Sequence, residues 1–117
     1  MMSDSEWVNV IEPRFEVGPL MLLTDQRRLV GPRGEITLRG NAYAVAHKLM
    51  RRPGVVITRS DLISAMYGDP DDEPNDAEGV LRQVILTLRE AINLIVGRTP
   101  VSIVTEAGVG HWIRSER

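Results

Sequence analysis

Gln83 and Thr87 stand one helical turn apart, with Arg82 beside the first and Arg89 just beyond the second. Residues of these types at this spacing can read a polar edge. A glutamine amide pairs bidentately with adenine, and a threonine methyl touches the methyl of thymine. An arginine fork donates two parallel hydrogen bonds to a base edge or a phosphate. Each of these side chains also has an ordinary reading. Gln83 and Thr87 suit solvated positions, and Arg82 suits an ion pair with Glu78 or with an acid of the preceding loop.

Other chemistry is poorly provided for. The chain has no cysteine, which excludes disulfides and thiolate metal sites. Its two histidines, His47 and His111, lie far apart in sequence. There is no nucleophile elbow and no phosphate-binding loop. The acids between Asp69 and Glu78 are too broken by proline, and too irregularly spaced, for a calcium loop. The expectation is a protein that is not an enzyme and carries neither cofactor nor metal.

The 117 residues suffice for one domain with its own core. No apolar run approaches the roughly 20 residues of a membrane span. The start, Met1 to Glu6, is acidic rather than basic, unlike a secretory signal. A soluble, cytoplasmic protein is expected. The net charge is −2, from 14 basic against 16 acidic residues. Six of the acids, Asp69, Asp71, Asp72, Glu73, Asp76 and Glu78, fall within ten residues, which leaves 14 against 10 elsewhere, or +4. All the cations but Lys48 are arginine.

The elements that position Gln83 and Thr87 follow from local pattern. Residues 1–13 read as a lead-in with apolar side chains that can dock. Phe15 to Leu23 reads as two strands broken at Gly18-Pro19, Arg28 to Val30 as a third, and Glu35 to Leu38 as a fourth after the turn at Gly31 to Gly34. A first helix from Gly40 carries Ala42, Val45, Ala46, Leu49 and Met50 at helical spacing. Val55 to Ile57 is a short extended piece. Thr58 to Asp61 reads as a capping box in which Asp61 replaces the usual Glu or Gln, opening a second helix with Leu62, Ile63, Met66 and Tyr67. After the acidic loop, Asp76 caps a third helix with a stripe of Leu81, Val84, Ile85, Leu88, Ile92 and Ile95. Val101 to Thr105 and His111 to Ile113 form a hairpin, with Gly108 and Gly110 supplying its permissive turn. The expected fold class is α+β. A four-stranded antiparallel sheet (14–39) precedes three helices (40–97) and a hairpin (98–117).

This order, with Leu49 to Leu62, the Leu88-Arg89 pair, Ile103-Val104-Thr105 and Gly108-Val109-Gly110, resembles the effector domain of OmpR/PhoB-type response regulators, a winged helix-turn-helix family of transcription factors. The resemblance implies that double-stranded DNA is the partner. The third helix would enter the major groove, with the hairpin wing on the adjacent backbone or minor groove. It assigns the DNA-facing set to Arg82, Gln83, Leu86, Thr87 and Arg89, with Arg59 at the start of the second helix and Thr105 and Gly108 in the wing. It places Asp69, Asp71, Asp72 and Glu73 where the family contacts RNA polymerase, and it implies a homodimer on direct repeats. Arg89, the retained family cation, is the leading candidate: Arg89→Ala is expected to weaken DNA binding by roughly 1–3 kcal/mol without unfolding the domain. No receiver domain accompanies this segment, so control by phosphorylation of an internal aspartate is not expected.

The departures from the family pattern are Gly79, Val80, Val84, Leu86 and Thr87 at helix positions that are usually basic, and Ala107 and His111 in the wing. Leu86 is expected to pack against the wing, and His111 and Trp112 to pack within it. The alternative function is a protein-interaction module on the same fold, using an apolar Val80/Val84/Leu86 surface and the acidic loop.

Overall fold

The structure is a computed structural model described over residues 13–97 and 100–116. Apart from Pro13, the expected lead-in lies outside the described residues. Strands β1 Arg14–Val17, β2 Leu20–Leu23, β3 Arg28–Gly31 and β4 Gly34–Thr37 form an antiparallel meander in that order. Phe15, Leu22, Leu29 and Ile36 face one another across all four strands. Leu22 and Leu29 are fully buried, because period-2 alternation turns this row toward the helices.

Helix α1, Gly40–Arg51, buries Val45, Ala46, Leu49 and Met50. Helix α2, Arg59–Tyr67, buries Leu62 and Ile63 and stops at Gly68. Helix α3, Ala77–Ile95, buries Leu81, Ile85, Leu88, Ala91, Ile92 and Ile95 along one stripe, while Val84 is only partly buried. One core cluster joins the sheet, the three helices and the hairpin. The Arg33 amide donates to the Ile95 carbonyl at 2.8 Å. That bond satisfies a terminal carbonyl of α3 and ties the β3–β4 turn to the helix end.

The caps form largely as the sequence predicts. Thr58 Oγ1 accepts from the Asp61 amide at 3.1 Å, and Asp76 Oδ1 accepts from the Gly79 amide at 3.1 Å. Among the described residues the Asp61 carboxylate returns no bond to Thr58. Aspartate is one methylene shorter than the glutamate of the usual capping box. The acidic loop contains a 3₁₀ turn, Pro70–Asp72, capped by Asp69 Oδ1 accepting from the Asp71 amide at 2.9 Å.

Two local expectations need correction. The extended piece is not Val55 to Ile57 but β5, Ile57–Thr58; Val55 closes a turn onto the Arg52 carbonyl instead. The hairpin of β6 Val101–Glu106 and β7 Gly110–Ser115 is therefore two strands of a three-stranded sheet in the order β5-β7-β6. Gly108, at φ +76°, makes the turn. Gly110 serves another purpose: a Cβ there would run into the Ile57 backbone carbonyl. It is glycine so that β5 can approach.

Candidate nucleic-acid interface

The apolar stripe of α3 fixes which side chains remain outside. With roughly 100° between successive residues, burial of Leu81, Ile85, Leu88 and Ile92 places Gln83 and Glu90 near the middle of the open face. Leu86 lies to one side of them, toward Arg82, and Thr87 to the other. Arg82, Gln83, Leu86, Thr87 and Glu90 are all exposed. Leu86 does not pack on the wing as expected; it is 46 % exposed, because the wing meets α3 on the Arg82–Arg89 flank. Val80 and Val84 are partly buried on the opposite flank. The proposed Val80/Val84/Leu86 surface is thus not a single patch, since the helix turns about 200° between residues 84 and 86.

Four of the candidate residues meet where the start of α3 faces the wing tip. Arg59, Arg82, Thr105 and Gly108 line one cleft of about 150 Å³, together with Glu78, Leu81, Glu106, Gly110 and His111. The sheet pairing of β5 with β7 makes this meeting possible, because it carries the first residue of α2 to the hairpin. The Arg59 amide donates to the Val109 carbonyl at 3.2 Å. The Arg59 guanidinium is not idle either: Nη1 lies 2.7 Å from Glu78 Oε1. Glu78, weighed as a partner for Arg82, belongs to Arg59, and Arg82 forms no ion pair among the described residues. Across the wing, Trp112 Nε1 donates to Glu106 Oε1 at 2.8 Å.

Arg89 faces the wing rather than the open face. Its Nε donates to the Ile103 carbonyl at 3.1 Å and its Nη2 to Thr105 Oγ1 at 2.7 Å. Thr105 Oγ1 lies 3.0 Å from His111 Nδ1. The Thr105 oxygen accepts from Arg89, so its proton is available to donate to Nδ1 of a neutral imidazole. His111 is 7 % exposed. Burial first, then the charges of Arg89 and Arg59, hold its pKa below the ordinary 6.5. This chain of bonds fixes the wing against α3. His47 is half-buried on α1, edge-on to Phe15 with centroids 5.1 Å apart.

The acidic residues Asp69, Asp71, Asp72 and Glu73 are exposed. The Asp69 carboxylate is engaged as the cap of the 3₁₀ turn. No group of three or more metal-ligating side chains forms among the described residues. No helix among them is long and apolar enough to cross a membrane.

Three helices between a four-stranded sheet and a hairpin, with a cleft shared by the third helix and the wing tip, form the winged-helix arrangement. The family described as "Transcriptional regulatory protein, C terminal" matches residues 33–113, more than half of the chain. The chain belongs to the OmpR/PhoB-type effector domains. This winged-helix domain is similar to the two-component response regulator PhoP of Pseudomonas aeruginosa, at 26 % identity over 98 residues. The match covers 84 % of the chain but only 42 % of that regulator, so the chain spans about two fifths of its relative's length. Among solved structures, the DNA-binding domain of CpxR from E. coli superposes with a TM-score of 0.67 at 21 % identity, covering 90 % of this chain and 99 % of that one. The DNA-binding domain of the response regulator AdeR, in complex with an intercistronic region, gives 0.69 at 15 % identity, covering 86 % and 98 %.

Sequence reasoning did not anticipate three features of this OmpR/PhoB-type domain: the Arg59–Glu78 pair, the place of Glu90 beside Leu86, and the engagement of Arg89 with β6. Only Glu90 had a local signal, since it lies seven residues after Gln83 and so on the same helix face.

Proposed function

We propose that this domain is a transcriptional regulator that binds double-stranded DNA. In this reading α3 lies in the major groove with Gln83, Leu86 and Thr87 toward base edges. Arg82 and Arg59 meet the backbone beside it. Thr105 and Gly108 bring the wing onto the adjacent backbone or minor groove. Arg89 acts one step back, as a positioning residue for the wing. The observation that carries the reading is the single cleft shared by Arg59, Arg82, Thr105 and Gly108 at the start of α3. Its chemistry is consistent with the departures from the family. With few free cations on the helix, discrimination falls to Gln83 and the methyl-bearing Leu86 and Thr87, and phosphate grip falls to the rim. A cytoplasmic homodimer on direct repeats, and RNA polymerase contact through Asp71, Asp72 and Glu73, belong to the same proposal.

The test is selection of bound duplexes from a random library at roughly 100 mM salt, where purely nonspecific phosphate binding is weakened. An enriched motif is expected, and repeats one helical turn apart would give the dimer spacing. A folded protein that enriches nothing defeats the reading. It would then favour the protein-interaction alternative, for which the exposed Leu86 and Leu94, 46 % and 71 % accessible on the outer side of α3, are the anchors to test.

A further inference from the structure

The C-terminal end of α1 carries a basic site, on the other side of α2 from the cleft. Lys48, Arg51 and Arg52 line a cavity of about 250 Å³, with Ile57 and Asp61 completing the wall. Lys48 and Arg51 are one turn apart in α1, and Arg52 is the residue that caps the helix. The wall is held in place from both sides. The Gly54 amide donates to the Ile113 carbonyl at 2.9 Å, and Ile57 pairs with His111 in the wing sheet.

What these cations share is that, among the described residues, none of them forms an ion pair, and they stand together. Arg14, Arg28, Arg59 and Arg114 have carboxylate partners, Arg27 lies over the Tyr43 ring, and Arg89 is committed to the wing. The described cations with none of these contacts are Arg33, Arg39, Lys48, Arg51, Arg52 and Arg82, and half of them share this cavity. Asp61 stands at the rim without forming an ion pair. The helix end alone does not account for three cations, since its dipole rewards each with only about 0.3–1 kcal/mol. The positive field is felt nearby: after burial, Arg51 and Lys48 are what lower the pKa of His47.

The position of the cavity indicates what fills it. Arg59 and Asp61, two residues apart in the first turn of α2, point about 200° away from each other. One lines the cleft at the wing tip and the other lines this cavity. The cleft, with its unpaired Arg82, and the basic cavity therefore flank the start of one helix, and a duplex backbone passing the first turn of α2 can reach both. Building on the DNA-binding reading above, we propose that Lys48, Arg51 and Arg52 hold backbone phosphates of the duplex flanking the stretch that α3 reads.

Two duplexes test this: one trimmed to the selected motif, and the same motif extended by about one helical turn (roughly 10 base pairs) on each side. The wild-type domain is expected to bind the longer duplex at least about tenfold more tightly, with a slope of log affinity on log salt steeper by about 2–3, the release expected for two to three neutralised phosphates. The Lys48→Gln/Arg51→Gln/Arg52→Gln variant should bind the trimmed duplex like the wild type, which also shows that it is folded, and lose the gain in affinity and slope. Retention of the gain by the variant, or its absence from the wild type, overturns the proposal. So does a shift of the Lys48 and Arg51 amide resonances with inorganic phosphate alone and no length effect, which reassigns the cavity to a small anion. Binding to neither duplex defeats the DNA-binding reading, and the proposal with it; that outcome is distinct from trimmed-duplex binding without a length effect.

Discussion

Arg89 shows how a residue's type and its task can diverge. On the sequence it is the retained cation of the DNA-reading helix; in the fold it is a fork holding β6 through the Ile103 carbonyl and Thr105 Oγ1. Arg89→Ala is therefore expected to cost about 1–2 kcal/mol of unfolding free energy, read by denaturant titration, and to speed amide exchange along β6. Arg89→Lys should not restore it, because a point charge cannot bridge both acceptors. Unchanged stability with lost DNA affinity would return Arg89 to the DNA surface. His111 adds a pH dependence with a definite sign. Its folded pKa lies below its ordinary value of about 6.5, so below that value the unfolded chain takes up a proton before the folded one. Its stability contribution is full above about pH 6.5 and is lost as the pH falls toward the folded pKa. Midpoints of urea unfolding between roughly pH 7.5 and 5 should fall, and His111→Gln should flatten the part that His47, shifted in the same direction, does not supply.

The helices were legible because their signals are local. The stripe Leu81, Ile85, Leu88 and Ile92, the Asp76 cap and the stop after α3 all lie within the element they define. The four-stranded sheet was legible for the same reason, through its short alternating runs and its Gly-Pro turns. The wing was only half legible. Its two arms were evident, but the third strand β5 was not, since its two residues carry no pattern. Local pattern alone makes Gly110 a turn residue, although the need for glycine comes from Ile57, which precedes α2 and α3 in the chain. Gly110→Ala should thus destabilise the domain by about 1–3 kcal/mol by overpacking β7 against β5. Amide protection should be lost first at Ile57 and Thr58. A variant as stable as the wild type would show that β5 does not need this close approach.

Across the whole molecule, charge is sorted more sharply than a net of −2 conveys. The acids gather between α2 and α3, and cations without a carboxylate partner gather at the end of α1 and beside the wing. Burial sorts the apolar residues equally firmly, with exceptions such as Leu86 and Leu94, both on the outer side of α3. In the proposed reading an anionic duplex meets the side that carries the unpaired cations, and the salt dependence of binding measures how far they are used.

The sequence by itself determined the element order, the fold class and the family, because hydrophobic period, caps and turn glycines act over a few residues. It also determined the buried stripe of α3, since one apolar face sets the phase of a helix, but not that Leu86 stays exposed or that Arg89 turns to the wing. Only the tertiary structure decided what Arg59, Arg89, Thr105 and Gly110 do. Their partners are Glu78, Ile103, His111 and Ile57, most of them on elements far off in the chain. Contacts of that kind exist only once helices and sheet have packed, and no local pattern encodes them.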